Sequence, residues 1–422
     1  MTHTAAILDF AAAPHVLLPQ VRADAIRLLA DTLAGGAAGA ASAEATGLVS
    51  AIRKWGGSSE ARLLCGGHSP APSAAFFNGF ATHCLEWDAV HEPAVVHALS
   101  VVTAALLAAS DRAGGSDPEQ FLTALALGVD IASGLGLSAT GPMRFFRPAT
   151  AGVVGAALAV ARLEGLSREQ MAHALGLAYS FAGGTMQAHV EASIALPLQI
   201  GRAAQAAVQT VDLVKAGMTG PHDVLEGSFG YSALIEPLDL ARYTSTLGKV
   251  WRISDVSIKP FPSGRASHGA LGALQDLDLA LDTVESIELF APPLIHRLVG
   301  RPYKPGAPMS YNRLCLAFLA PLMLRDGHID PRLDDTIPAL AEKVMVTLDS
   351  NADGNALSPQ RLEVKLKDGS TIDRAIAANL GSPDAPMSSQ QYAAKYNLCR
   401  ELARNCDLRI FDDPLSYATD PG

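Results

Sequence analysis

Charge is scarce in this chain. Asp, Glu, Lys and Arg together make up 18% of the 422 residues, and Phe, Trp and Tyr only 6%. Basic residues are outnumbered, 32 against 42, for a net charge of −10, and they form no cluster anywhere. That excludes a nucleic-acid or anionic-membrane partner of the usual electrostatic kind. The five cysteines, Cys65, Cys84, Cys315, Cys399 and Cys406, are odd in number and never form C-x-x-C. They argue against a disulfide framework or a structural zinc site and for reduced cytoplasmic thiols. No Lys or Arg precedes Arg22, and Asp9 interrupts the apolar start, so a signal peptide is not expected.

Several nucleotide and hydrolase signatures are also missing: there is no Walker A loop, no G-x-S-x-G elbow and no H-E-x-x-H pair. Gly134-Leu135-Gly136-Leu137-Ser138-Ala139 matches part of a dinucleotide fingerprint. That fingerprint needs a strand before it and a helix after it, and here the run ends a helix instead.

What is abundant is small and apolar. Residues of the hydrophobic class make up 49%, and a mass of 43.9 kDa over this length means that small side chains dominate. Such a chain buries a large core, which rules out disorder. Its low charge suggests that some surface is covered in an oligomer. From about residue 19 to 230 the pattern predicts helices. Pro19 and Pro72 stand where first-turn prolines belong, and Ser116–Glu119 and Ser167–Gln170 carry capping signals. The stretch from Pro93 to Ser110 is uncharged and reads as a buried core helix. Two helix starts fifty residues apart, at Gly115 and Gly165, form a weak internal repeat. Near Trp251 the pattern changes. Ile253–Lys259, Val284–Phe290, Lys343–Leu348 and Arg361–Leu366 read as strands, and Asp368-Gly369 as a hairpin turn into Thr371–Ile376. Helices are expected near His268–Leu281, Tyr311–Arg325 and Ser388–Asn405. The fold class is therefore mainly α: a large all-helical domain from residues 1–250 and 386–422, and a smaller α+β lid domain from 251–385.

Two segments carry chemistry. Residues 83–100 read HCLEWDAVHEPAVVHALS, which crowds Glu86, Asp88, His91 and His97 into a linker between apolar helices. Titratable groups in such a place in a low-charge chain point to acid–base work more than to a surface loop. A metal site is the weaker chemical reading, since the spacing matches no usual ligand set. Residues 258–268 read IKPFPSGRASH and put Lys259, Arg265 and His268 in a loop where helix gives way to strand. Paired cations there suit a carboxylate or an oxyanion; a solvated basic loop is the alternative.

These runs, with GGSSEARLLCGG (56–67), RPATAGVVGAALAVARLEGLSREQMAHALGLA (147–178), GPHDVLEG (220–227) and PMSSQQYAAKY (386–396), resemble the MmgE/PrpD family, in family order from about residue 20 to 405. The resemblance implies a homodimer, an active site between a helical and a lid domain, and cofactor-independent acid–base chemistry on small polycarboxylates. Known members include 2-methylcitrate dehydratase, cis-aconitate decarboxylase and iminodisuccinate epimerase. Asp88, His91 and His97 match the family's D-D-T-H…H-P-S segment, although its second Asp, its Thr and its Pro-Ser are lost; Lys259, Arg265 and His268 match its lid-side cations. Elsewhere the chain departs. Arg147 stands for a histidine, Leu196 and Gln199 for a lysine and a histidine, and Phe318 for a tyrosine. The departures imply a less cationic pocket and a substrate with fewer carboxylates, or at least one carboxylate or carbonyl.

The expected catalytic residues are accordingly His97 as base, Asp88 and His91 to orient it or shuttle a proton, and Lys259. Arg265, His268, Arg147, Gln199 and His189 are expected to bind substrate, with no metal and no cofactor. A dehydratase- or decarboxylase-type lyase is the first expectation. Epimerisation, isomerisation or cyclisation beside a carboxylate, and a non-catalytic binding protein on the same fold, are the alternatives.

Overall fold

Prolines and capping side chains start the long helices. Pro19, Pro72, Pro118 and Pro148 sit in the first turns of Pro19–Ala40, Ala71–His83, Pro118–Leu137 and Arg147–Leu163, where a missing N–H forfeits no helical bond. Ser167 and Gln170 close a capping box before Arg168–Ser180, and Ser388 and Gln391 close another before Ser389–Leu402. With Ala98–Arg112 and Ala195–Lys215, these helices make up the body of the protein in this computed structural model, which describes residues 2–422 apart from 334, 335, 337 and 352.

The excess of small residues has a geometric cause. A Cβ placed on Gly155 would lie 2.3 Å from the Gly128 carbonyl, and one on Gly201 would lie 2.3 Å from that of Phe76. Neither distance is attainable, so the 118–137 and 147–163 helices, and the 71–83 and 195–215 helices, cross backbone to backbone. The 118–137 helix is long and apolar enough to cross a membrane, but neighbouring helices bury nearly all of it.

The second unit is built on a four-stranded sheet in the order 344–348, 284–291, 360–366, 371–376. The first pair is parallel and the other two are antiparallel. Asp368-Gly369 turns the last hairpin, with Gly369 at a φ of 89°. The helices His268–Leu277 and Leu316–Asp326 pack against this sheet. The chain then returns to the helical body, where the 389–402 helix lies on the 19–40 helix and Lys395 Nζ meets Asp31 at 2.6 Å.

One expected strand is absent. Residues 253–259 open with a 3-10 turn, Arg252–Asp255, and then pair with other segments only at single points. Asp130 holds the turn by accepting from the Arg252 backbone N–H at 3.0 Å and pairing with its guanidinium at 3.3 Å. Ser257 then exchanges backbone bonds with Val90, and Ile258 N–H donates to Gly381 O at 2.9 Å. The β-branched run is thus an extended strap between two loops rather than part of a sheet. The expected helix from Pro93 likewise starts later, at Ala98, because residues 92–95 form a tight turn closed by the His91–Val96 bridge.

Candidate active site

The loop between the 71–83 and 98–112 helices is buried, although polar loops ordinarily run over the surface. Glu86, Asp88 and His91 are 9%, 2% and 2% exposed. Two of its residues, Glu86 and Val95, adopt left-handed backbone conformations at a φ of 54°. For a β-branched valine this is a marked outlier, and such strain costs about 1–3 kcal/mol per residue and gathers at functional sites. The 253–259 strap holds the loop down through the two Val90–Ser257 backbone bonds, at 3.0 and 2.8 Å.

At the centre lies Asp88. His83 Nδ1 donates to its two oxygens at 3.0 and 2.9 Å, and His97 Nδ1 lies 3.1 Å from Oδ2. The Ser100 hydroxyl donates to the same oxygen, and Lys259 Nζ stands 3.7 Å from Oδ1. His97 Nδ1 also bonds the Ala89 carbonyl at 3.1 Å. A carbonyl only accepts, so this nitrogen carries the proton and a neutral His97 has a bare Nε2. Lys259 is fully buried and donates to the Glu86 carbonyl at 3.0 Å and to its carboxylate at 3.3 Å. The remaining His83 nitrogen, Nε2, is buried, has no hydrogen-bond partner among the described residues, and lies 3.4 Å from Glu86 Oε1.

The protonation states diverge across this network. Burial, the largest effect on each imidazole, disfavours the charged form. On His97 burial prevails over the pull of Asp88, and the pKa is lowered. On His83 the two carboxylates of Asp88 and Glu86 outweigh burial, and the pKa is raised. Burial would raise both carboxylates, but the surrounding cations reverse that: His83, His97 and Lys259 hold Asp88 well below its ordinary value, and His83 and Lys259 lower Glu86. One carboxylate thus sits between a His97 ring biased toward its neutral form and a His83 ring biased toward its charged form.

His83, Asp88 and His97 are also the one group among the described residues whose ligand atoms lie close enough to hold a metal, within 4.8 Å of one another. The geometry fits that role poorly. Both Nδ1 atoms are committed as donors, and the Asp88 oxygens are occupied by two imidazoles, a hydroxyl and an ammonium nearby.

His83, Glu86 and His97 face a cavity of about 60 Å³, enough for a few waters. Most of its wall is apolar, including Val95, Met143, Phe146, Met186, Leu196 and Leu298. His189 lines it too, and burial pushes its pKa down to about 4.

Other residues with expected roles are placed differently. Arg265 borders the cavity, but its guanidinium is taken by Glu92 at 2.6 Å and by the Leu380 carbonyl at 2.7 Å. His268 is not at the cavity: it lies behind Arg265, whose Nη1 donates to its Nδ1 at 3.2 Å. Arg147 also lies outside, fully buried against Glu236 at 2.9 Å and donating to the Ala94 carbonyl at 3.2 Å, so it ties down the 92–95 turn. Gln199 turns away and donates to Thr185 O at 3.2 Å. His91 points to the opposite side of its loop, where Nδ1 accepts from Ala94 N–H at 3.2 Å. Asp88 and Lys259 are in the network but behind the cavity wall. Phe318 is buried 6.5 Å from the Tyr303 ring, centroid to centroid.

Sequence reasoning overlooked His83, which reads as an ordinary histidine at a helix C-terminus, and gave Glu86 no specific role. It also missed Arg301, whose Nη2 donates to His189 O at 3.1 Å and whose buried Nη1 has no partner among the described residues.

Comparison with known proteins places this site in context. Residues 5–240 match the MmgE/PrpD N-terminal domain and residues 261–405 the MmgE/PrpD C-terminal domain. Among curated relatives, cis-aconitate decarboxylase of Homo sapiens is 28% identical over 292 residues, covering 65% of this chain and 58% of that protein. The Mus musculus cis-aconitate decarboxylase is 29% identical, over 55% of this chain and 49% of that protein. The cis-aconitate decarboxylase-like protein oryM of Aspergillus oryzae is 25% identical, over 78% of this chain and 75% of that protein. This chain thus aligns with about half the length of the two mammalian relatives. With both domains matched across most of its length, the chain belongs to the MmgE/PrpD family.

Proposed function

We propose that this protein is a lyase of the decarboxylase or dehydratase type acting on a small carboxylate-bearing molecule by acid–base chemistry. The observation that carries it is the pairing of His83 and His97 on Asp88 at the wall of a largely apolar cavity. A neutral imidazole with a bare Nε2 is suited to take a proton beside a carboxylate. The names of the curated relatives support the lyase class.

The apolar wall supports a substrate with fewer carboxylates than a tricarboxylate. Lys259 and Arg265 are both engaged by protein carboxylates, and among the described residues the buried His83 Nε2 and Arg301 Nη1 make no hydrogen bond. Isomerisation or epimerisation is the second reading, and the presence of two imidazoles rather than one favours it. A homodimer remains part of the proposal.

The test is incubation with cis-aconitate and with a panel of mono-, di- and tricarboxylic acids in deuterated water, followed by NMR. Release of carbon dioxide or water from one of them, with deuterium beside the carboxylate, is the expected result. Deuterium exchange with neither loss would favour the isomerase. No turnover and no exchange across the panel would overturn both.

A further inference from the structure

We propose that His83 is the general acid of this site, delivering the proton on its Nε2 to the substrate while His97 serves as the base. The inference rests on the lyase reading above. Its geometric ground is that His83 lines the cavity beside His97, with ring centroids 4.9 Å apart in an edge-on arrangement. Its Nδ1 is fixed by Asp88, so the ring cannot turn without breaking a buried charged bond. Its Nε2 is then the one polar atom of the ring left to act: it makes no hydrogen bond among the described residues and lies 3.4 Å from Glu86 Oε1. Glu86 balances the charge from that distance but leaves the hydrogen bond unmade, a cost of about 1–3 kcal/mol for a buried donor, which an acceptor on a ligand would recover.

The groups facing His83 all bear on its charge. Asp88 and Glu86 favour the imidazolium, Lys259 on the strap opposes it, and His97 and His189 stand nearby as neutral rings. Phe146 covers another side of the ring, with centroids 5.7 Å apart, and keeps it dry.

The proton balance closes for either lyase outcome. In decarboxylation the bond to the carboxylate breaks and its electron pair stays on carbon. That carbon takes the Nε2 proton, carbon dioxide leaves, and His83 regains a proton from water. In dehydration His97 removes the proton beside the carboxylate, and His83 protonates the departing hydroxyl, which leaves as water.

His83→Asn keeps an N–H toward Asp88 and removes the titratable ring; His83→Gln is the second variant. With cis-aconitate as probe, or whichever acid of the panel the wild type consumes, kcat should fall by about 10²–10⁴-fold with KM nearly unchanged. The pH profile separates this role from a structural one. An acid must be protonated, so wild-type activity is lost as pH rises through the raised His83 pKa, and His83→Asn should abolish that limb. Unchanged kcat, or a raised KM with the high-pH limb intact, would overturn the acid role alone. A wild type inactive across the panel overturns the lyase reading and the acid role together. If neither variant folds, 15N-histidine NMR of the wild type decides: one buried ring that keeps protons on both nitrogens to higher pH than an ordinary imidazole is expected, and finding every buried ring deprotonated at or below the ordinary value overturns the proposal.

Discussion

His97 Nδ1 sits 3.1 Å from Asp88 Oδ2 and equally far from the Ala89 carbonyl, so its proton is held between two acceptors and its Nε2 is left bare toward the cavity. Replacing it by Asn keeps an N–H near both acceptors and removes the base. Turnover of any substrate found should fall by about 10²–10⁴-fold. A base must be unprotonated, so wild-type activity should be lost as pH falls through the lowered His97 pKa. His97→Asn should show no such acid limb. Retention of both rate and limb in the variant would remove His97 from the chemistry.

Among the described residues, Asp88 is the one anion within ion-pair distance of both imidazoles. Asp88→Asn leaves the buried Lys259 with Glu86 alone and both rings without their shared charge. Breaking a buried pair from one side costs about 3–5 kcal/mol. Urea denaturation of the variant near pH 7 should show a loss of that order. An unfolding free energy within about 1 kcal/mol of wild type would mean that Ser100 and the backbone, not the charge, organise the site.

The helical body was legible because its signals are local: first-turn prolines, capping boxes and apolar periodicity lie within a few residues of what they control. The same holds for the hairpin at Asp368-Gly369. The 253–259 run misleads because its β-branched residues answer to distant partners, Asp130, Val90 and Gly381, rather than to a neighbouring strand. In the site, Asp88 and His97 announce themselves as titratable groups in an apolar stretch. His83 does not, because its meaning comes from the loop that folds Asp88 back against it. His91 and Arg147 mislead for the opposite reason. Their residue types suit chemistry, but the left-handed turn at Val95 directs one away and binds the other to the Ala94 carbonyl.

Arg265 and Glu92 test whether a cation at the cavity edge is there for substrate or for the fold. Glu92 also accepts from Ser257 at 2.5 Å and Asn379 at 2.8 Å, which makes it a junction of the loop, the strap and the 377–382 segment. Burial would raise its pKa, but Arg265 reverses this and lowers it. Arg265→Met should therefore destabilise by about 3–5 kcal/mol, the cost of an orphaned buried charge. Adding Glu92→Gln should recover most of that in the double variant. If thermal and urea unfolding show no recovery, the pair is not the source of the loss. A KM close to wild type in the double variant would assign Arg265 to the fold.

His91 and His189 make a prediction about acid stability. Burial, helped by Arg252 near His91 and by Arg301 near His189, pushes both pKa values from the usual 6.5 down to about 4. Between those values the unfolded chain binds protons that the folded one refuses, so stability rises with pH. The contribution is complete above pH 6.5 and is lost as pH falls toward 4, by roughly 3 kcal/mol for each ring. Urea midpoints measured across that window should drop steeply. His91→Gln keeps an acceptor for the Ala94 N–H and carries no titration, so it should flatten the slope by one proton and leave turnover within about twofold of wild type. An unchanged slope would show that His91 is not held neutral in the folded protein. A large loss of turnover with normal folding would return His91 to the catalytic machinery.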